Sequence, residues 1–262
     1  QNDSIEKKIS EYITKKVAEK LEELFKKDRE HFEKIWDDIR IFIVYGMITD
    51  QKFFERAEKF MLFKDSEDKY YTIEEYKKII EEKQKNKDGN VVYLYATNKD
   101  EQYGNIEKAK ERGYNVLMLD GMLDSHFISA FEQKFEHTSF ARVDSNTIDK
   151  LIEKEEDKRE SKLDDKQKED IKKTFDEVVD STQYHVEFNT LGDEDAPIEI
   201  IQNEWMRRYK EMNQMGGAMW GDMPDSYTLI LNTNNAAITS MASKTEEERK
   251  EVERKAAEAE AR

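Results

Sequence analysis

Three short apolar runs in the middle of the chain constrain its fold more than any other feature. Val91-Val92-Tyr93-Leu94-Tyr95, Val116-Leu117-Met118-Leu119 and Phe140-Ala141-Arg142-Val143 have the length and composition of buried strands. Between them lie two segments with helical spacing. One covers 104–112 and closes at Gly113; the other covers 124–136, with Phe127, Ile128, Phe131 and Phe135 on one side. Strand–helix–strand–helix–strand calls for parallel strands joined by right-handed crossovers. A small α/β subdomain is therefore predicted over 87–152, opened by the turn Lys87-Asp88-Gly89-Asn90.

Before this block the chain reads as helix. Ile5, Ile9, Tyr12, Ile13, Val17, Leu21 and Leu24 recur at three- and four-residue steps, with Ser4 as the expected cap. Asp28 and Asp50 are expected to cap the next two helices, with Gly46 as a stop between them. Thr72 with Glu75 fits a capping box for 72–83. Residues 1–86 are expected to form an all-helical unit. After the block, 153–173 is almost wholly charged, and a domain boundary is placed there. A helix over 164–180, strands at 186–188 and 198–201 around the acidic turn 192–195, a helix over 203–215 and a strand at 227–231 follow. The predicted class is α+β: a helical unit, a small βαβαβ subdomain, a C-terminal α+β domain over 153–235, and a charged helical tail over 236–262.

Composition excludes several functions. The chain has 262 residues, and 44 Lys+Arg against 60 Asp+Glu leave a net charge of −16. Such a chain is a poor non-specific binder of nucleic acid or of an anionic membrane, so neither is expected as a partner. It has no Cys, which removes thiolate zinc sites and cysteine nucleophiles. No apolar run reaches the ~18 residues of a membrane span, and no signal peptide is visible. The absence of an initiator Met leads to the expectation of a processed or cut fragment. Against disorder stand 13 Phe, 12 Tyr and 3 Trp.

Catalytic patterns are missing. Ala96-Thr97-Asn98-Lys99 follows the first buried strand, where a nucleotide fold would carry a glycine-rich loop. His31, His126, His137 and His185 share no ligand spacing, so no metal site is expected. No nucleophile elbow occurs. A self-contained enzyme is not expected.

The segment 204–223 stands out instead. Trp205, Tyr209 and Met212 sit at i, i+4 and i+7, on one helical face, with Met206 beside them. Met215, Met219, Trp220 and Met223 follow among glycines. Methionine is unbranched and polarizable, and suits surfaces that adapt to differently shaped partners. Two readings stand: a binding surface, or a stripe packed into a core or a dimer interface.

Several strings resemble the middle and C-terminal regions of the ninety-kilodalton heat-shock chaperone family, in its bacterial branch. They are Lys7-Lys8-Ile9-Ser10 with Ile13-Thr14-Lys15-Lys16-Val17; Trp36-Asp37-Asp38-Ile39 with Tyr45-Gly46-Met47; Tyr93-Leu94-Tyr95-Ala96-Thr97-Asn98; and Glu204-Trp205-Met206-Arg207-Arg208 with Met215-Gly216-Gly217. Pro224-Asp225-Ser226-Tyr227 and Leu231-Asn232-Thr233-Asn234 extend the likeness to roughly 1–235. The resemblance implies a cytoplasmic, dimeric, ATP-driven chaperone that binds unfolded or partly folded client proteins. It also implies that this chain lacks the ATP-binding domain. Gln1 resembles a Gln of the loop that completes the family's ATPase site, and the Arg of that loop would precede it. ATP and Mg are thus expected in the full-length family and no cofactor in this piece. A homodimer would be weakened by loss of the helical bundle that follows Asn235 in the family. The family's client contacts map onto Trp205, Tyr209, Met212 and Asn213, and onto Ser125, His126 and Ser129.

Overall fold

The computed structural model describes residues 2–215 and 225–260. They pack as two units, one up to Val143 and one from Asp144, divided ahead of the charged run.

The first unit opens with α1 (Asn2–Lys27). This helix already includes Ser4, which is therefore not its cap. Helix α2 (Arg29–Thr49) is capped by Asp28, whose carboxylate accepts from the His31 N–H at 3.1 Å. Asp50 caps α3 (Gln51–Ala57) in the same way through the Phe53 N–H at 3.1 Å. Gly46 does not stop α2, which runs on to Thr49. Its role is close packing: a Cβ there would lie 2.7 Å from the Phe53 ring.

The region before residue 87 is not all helical. β1 (Leu62–Lys64) and β2 (Tyr70–Thr72) pair antiparallel, with Leu62 opposite Thr72. The hairpin is organised by buried Asp65, whose carboxylate accepts from the Glu67 and Lys69 amides and the Tyr71 hydroxyl. Strands of three residues are too short for alternation to show in a sequence. The capping box is present: the Thr72 hydroxyl accepts from the Glu75 N–H, and the Glu75 carboxylate from the Thr72 N–H, opening α4 (Ile73–Ile80).

The alternating block follows as β3 (Val91–Ala96), α5 (Tyr103–Glu111), β4 (Val116–Met118), α6 (Asp124–Lys134) and β5 (Thr138–Arg142). The sheet is parallel in the order β4-β3-β5, with β3 buried along its whole length. Rings fill the core. Phe63 of the hairpin lies 5.6 to 6.5 Å from the rings of Tyr76, Tyr93, Phe127, Phe131 and Phe140. The helices before residue 87 and the sheet after it thus share one core.

The second unit contains α7 (Ile148–Leu151), a 3-10 turn at Glu155–Asp157 within the charged run, and α8 (Asp165–Val178). Asp164 and Gln167 form a capping box for α8. Then come β6 (Tyr184–Asn189), β7 (Ile198–Ile201), α9 (Glu204–Met215), β8 (Tyr227–Asn232) and α10 (Ala236–Glu260). The sheet order is β6-β8-β7, with β6 parallel and β7 antiparallel to β8. Ile171 of α8 and Ile238 and Ala242 of α10 pack on Val186, Leu229 and Leu231 to make a small aliphatic core. No helix among the described residues is long and apolar enough to cross a membrane.

Candidate functional site: exposed helical faces

Helix α9 has two chemically distinct sides. Its start is set by Asn203, whose side-chain oxygen accepts from the amides of Trp205 and Met206 at 3.0 and 3.3 Å. On one side Arg207 is buried and bridges Glu204 at 2.8 Å and Glu211 at 2.6 Å, while Arg208 reaches Glu204 at 2.7 Å. These spacings of three and four residues put all four groups within reach. On the other side Trp205 and Tyr209 stack at 5.5 Å with an interplanar angle of 12°. They remain 67% and 50% exposed, and Met206 beside them is exposed as well. Met212 and Asn213 continue the helix half-buried. The stripe at i and i+4 is therefore on the surface of this unit, not in its core.

The second set of residues lies on α6. Ser125, His126 and Ser129 are all half-buried. The Ser129 hydroxyl donates to the Ser125 carbonyl at 3.2 Å. The His126 Nδ1 is buried with no hydrogen-bond partner among the described residues. Asp124, at the first position of α6, accepts from the Gly121 N–H at 2.7 Å. Burial pushes its carboxyl up to about 6, with that bond and Arg40 pulling the other way. Arg40 of α2 ties this turn down by pairing with Asp120 at 2.8 Å.

A cleft of about 480 Å³ lies at the carboxyl ends of β3 and β4, where open parallel sheets hold ligands. The backbone amides nearest it are already engaged. The Thr97 and Asn98 amides donate to the buried Gln102 side chain, and the Asp100 and Glu101 amides to the Asn98 side chain. Of its three cations, Arg40 pairs with Asp120 and Lys64 with Asp37, and exposed Lys99 is the third. Among the described residues no group of three His, Cys, Asp or Glu side chains could hold a metal ion.

Comparison with known proteins settles the family. The family described as Hsp90 protein matches residues 1–259. The chain belongs to the Hsp90 family. The chaperone protein HtpG of Bacteroides thetaiotaomicron is 49% identical over 243 residues, covering 91% of this chain and 36% of that protein. HtpG of Porphyromonas gingivalis is 46% identical over 248 residues, covering 93% and 36%. HtpG of Bacteroides fragilis strain YCH46 is 45% identical over 253 residues, covering 95% and 37%. The chain thus spans little more than a third of the length of the Hsp90 relatives it matches. The family match includes most of α10, beyond Asn235.

Of the residues singled out in the sequence, Gln1, Gly216, Gly217, Met219, Trp220 and Met223 lie outside the described residues, as does the Met215 side chain. Only the Hsp90 resemblance points to Ser125, His126 and Ser129, because nothing in their own spacing marks them. The Arg207 cluster was missed. Its signal was present in Glu204, Arg207 and Glu211, which alternate in sign at helical spacing.

Proposed function

We propose that this chain is the part of an Hsp90-type chaperone that holds unfolded or partly folded polypeptides. The observation that carries this reading is the stacked, exposed Trp205–Tyr209 pair on a helix whose opposite side is pinned by Arg207. Two rigid rings held in place offer apolar surface with little entropy left to lose on contact. Covering what remains exposed of them removes on the order of 200 Å² of apolar area, worth ~5 kcal/mol at ~25 cal/mol per Å². Association itself costs at least ~4 kcal/mol in lost freedom. The net grip is weak and reversible, which suits a site that must release many sequences. The charge of −16 favours basic clients and keeps the loaded complex in solution.

In this reading the chain holds polypeptide and performs no chemistry of its own, and the Thr97 and Asn98 amides in the cleft beside its parallel sheet serve the fold by binding Gln102. Met212, Asn213 and, on α6, Ser125, His126 and Ser129 would extend the contact.

Replacing Trp205→Ala together with Met212→Ala is expected to weaken binding of an unfolded client about tenfold while changing stability by less than ~1 kcal/mol. Equal affinity of parent and variant in a fluorescence titration removes this helix as the site. Sedimentation over a concentration series tests the dimer alternative: mass that grows with concentration in the parent but not in the variant would make the stripe a subunit interface.

A further inference from the structure

The edge of the second sheet carries an inference that rests on the client-holding reading and deepens it. Among the described residues β7 is an edge strand, paired with β8 alone. The Asn232 N–H donates to the Pro197 carbonyl at 2.9 Å, and these two residues stand opposite each other in the register. In an antiparallel ladder such hydrogen-bonded pairs alternate with unbonded ones. The pairs Ile198↔Leu231 and Ile200↔Leu229 are therefore the unbonded ones, and the N–H and C=O of Ile198 and Ile200 point outward. Gln202 continues the alternation, and its outward N–H already donates to the Asp144 carbonyl at 3.2 Å. The chain's own backbone thus occupies the far end of this edge, and the positions at Ile198 and Ile200 have no backbone partner among the described residues.

Side chains point the same way. Ile198 and Ile200 share the sheet face of Leu229 and Leu231, which α8 and α10 cover. That cover does not reach β7, where Ile198 is 40% and Ile200 58% exposed. Natural edges are usually blunted by charge, bulges or covering loops, so an open apolar one marks a place where a strand is added. The turn leading into β7 exposes Asp193, Glu194 and Asp195, with Lys162 pairing Asp193.

We propose that the outer edge of β7 is a strand-addition site for an extended polypeptide segment with alternating apolar residues and cationic flanks. The incoming backbone would exchange hydrogen bonds with Ile198 and Ile200. Its apolar side chains would lengthen the Ile198–Ile200 face, and its flanking Lys or Arg would meet the acidic turn. Main-chain bonding reads no side-chain identity, so one edge can serve many sequences. The aromatic pair on α9, which starts three residues after β7 ends, would add apolar grip.

The test uses the whole 262-residue chain, labelled with nitrogen-15, and a nine-residue peptide of alternating valine and threonine with two lysines at each end. The peptide should shift the Ile198 and Ile200 amides and slow their hydrogen exchange. The same peptide N-methylated at its valines keeps its side chains and charge but loses the bonds, and should bind about tenfold more weakly. Ile200→Pro removes one outward N–H while leaving the ladder to β8, whose bonds come from Glu199 and Ile201; proline is tolerated at such an edge. It should weaken both the peptide and an unfolded client. Equal affinity of methylated and unmethylated peptide overturns strand addition, and that comparison needs no variant to fold. An unfolded client that is lost by the Trp205→Ala, Met212→Ala variant but held normally by Ile200→Pro overturns the edge proposal and leaves the client-holding reading standing. A client unaffected by either variant sinks that reading, while protected Ile198 and Ile200 amides would still establish the edge as a strand acceptor.

Discussion

The two units hold themselves together by different means. Up to Val143 the interior is built of rings: Phe63, Tyr76, Tyr93, Phe127, Phe131 and Phe140 form one contiguous cluster. From Asp144 onward the core is small and aliphatic, and side-chain amides do much of the joining. Asn232 accepts from the Leu191 and Asn234 amides and donates to the Gly192 carbonyl. Asn234 accepts from the Lys162 amide and donates to the carbonyls of Glu160 and Leu191. Meanwhile Trp205, Tyr209, Ile198 and Ile200 stay outside. A unit that leaves apolar surface exposed has less of it to bury, and satisfied buried amides can supply the specificity that packing does not. The first unit is not wholly closed either, since Ile5, Ile9 and Ile13 are exposed along the first half of α1.

This contrast can be broken by substitution. Phe63→Ala removes the ring at the centre of the cluster and should destabilise the first unit by about 3–5 kcal/mol. Trp36, buried in that core, reports the loss in a urea titration. A cost below ~1 kcal/mol would mean that the rings are not what holds the unit. Asn234→Ala strips partners from the Lys162 amide and two carbonyls, and should cost the second unit about 2–3 kcal/mol. Hydrogen exchange resolved by residue should show that loss in the second unit's sheet, with protection of β3 unchanged.

A third test concerns pH in the first unit. Burial holds the Asp124 carboxyl up to about 6, above its ordinary value. The folded chain then keeps this proton more tightly than the unfolded one. Its contribution to stability is fully present below about pH 4 and is lost as pH rises through about 6. Asp124→Asn keeps an oxygen for the Gly121 N–H, and should flatten stability over that interval and raise it at neutral pH. Glu75 runs oppositely: its hydrogen bond to Arg29 lowers it to about 2, so its contribution is present above the ordinary range and lost as pH falls. Both partners are more than a third exposed, so that pair is worth under ~1 kcal/mol. A melting series from pH 3 to 8 on parent and Asp124→Asn separates the two slopes.

Much of this was legible in the chain. The three apolar runs did form a parallel sheet, and Asp28, Asp50 and the Thr72–Glu75 pair cap the helices expected of them, because capping is decided within four residues. The Trp205–Tyr209 face was legible as a face, since helical spacing alone puts i and i+4 together. What escaped is equally local in cause. Ser4 sits inside a helix that starts earlier, and the hairpin at residues 62–72 is too short to show a period. Gly46 looks like a stop in the sequence because its neighbours there do not reveal the Phe53 ring that requires it.

By itself the sequence determined the order and type of most elements, the acidic surface, the family, and which residues share a helical face. These follow from short-range spacing and from composition. Only the tertiary structure decided which faces are covered. Nothing in Ile198-Glu199-Ile200-Ile201 says that β7 is an edge, or that the first and third residues turn their backbone groups away from β8. That depends on register with residues some thirty positions distant and on where α8 and α10 end their cover. Burial is a property of neighbours brought together by the fold, and so the surfaces on which function is proposed emerge only when the chain has packed.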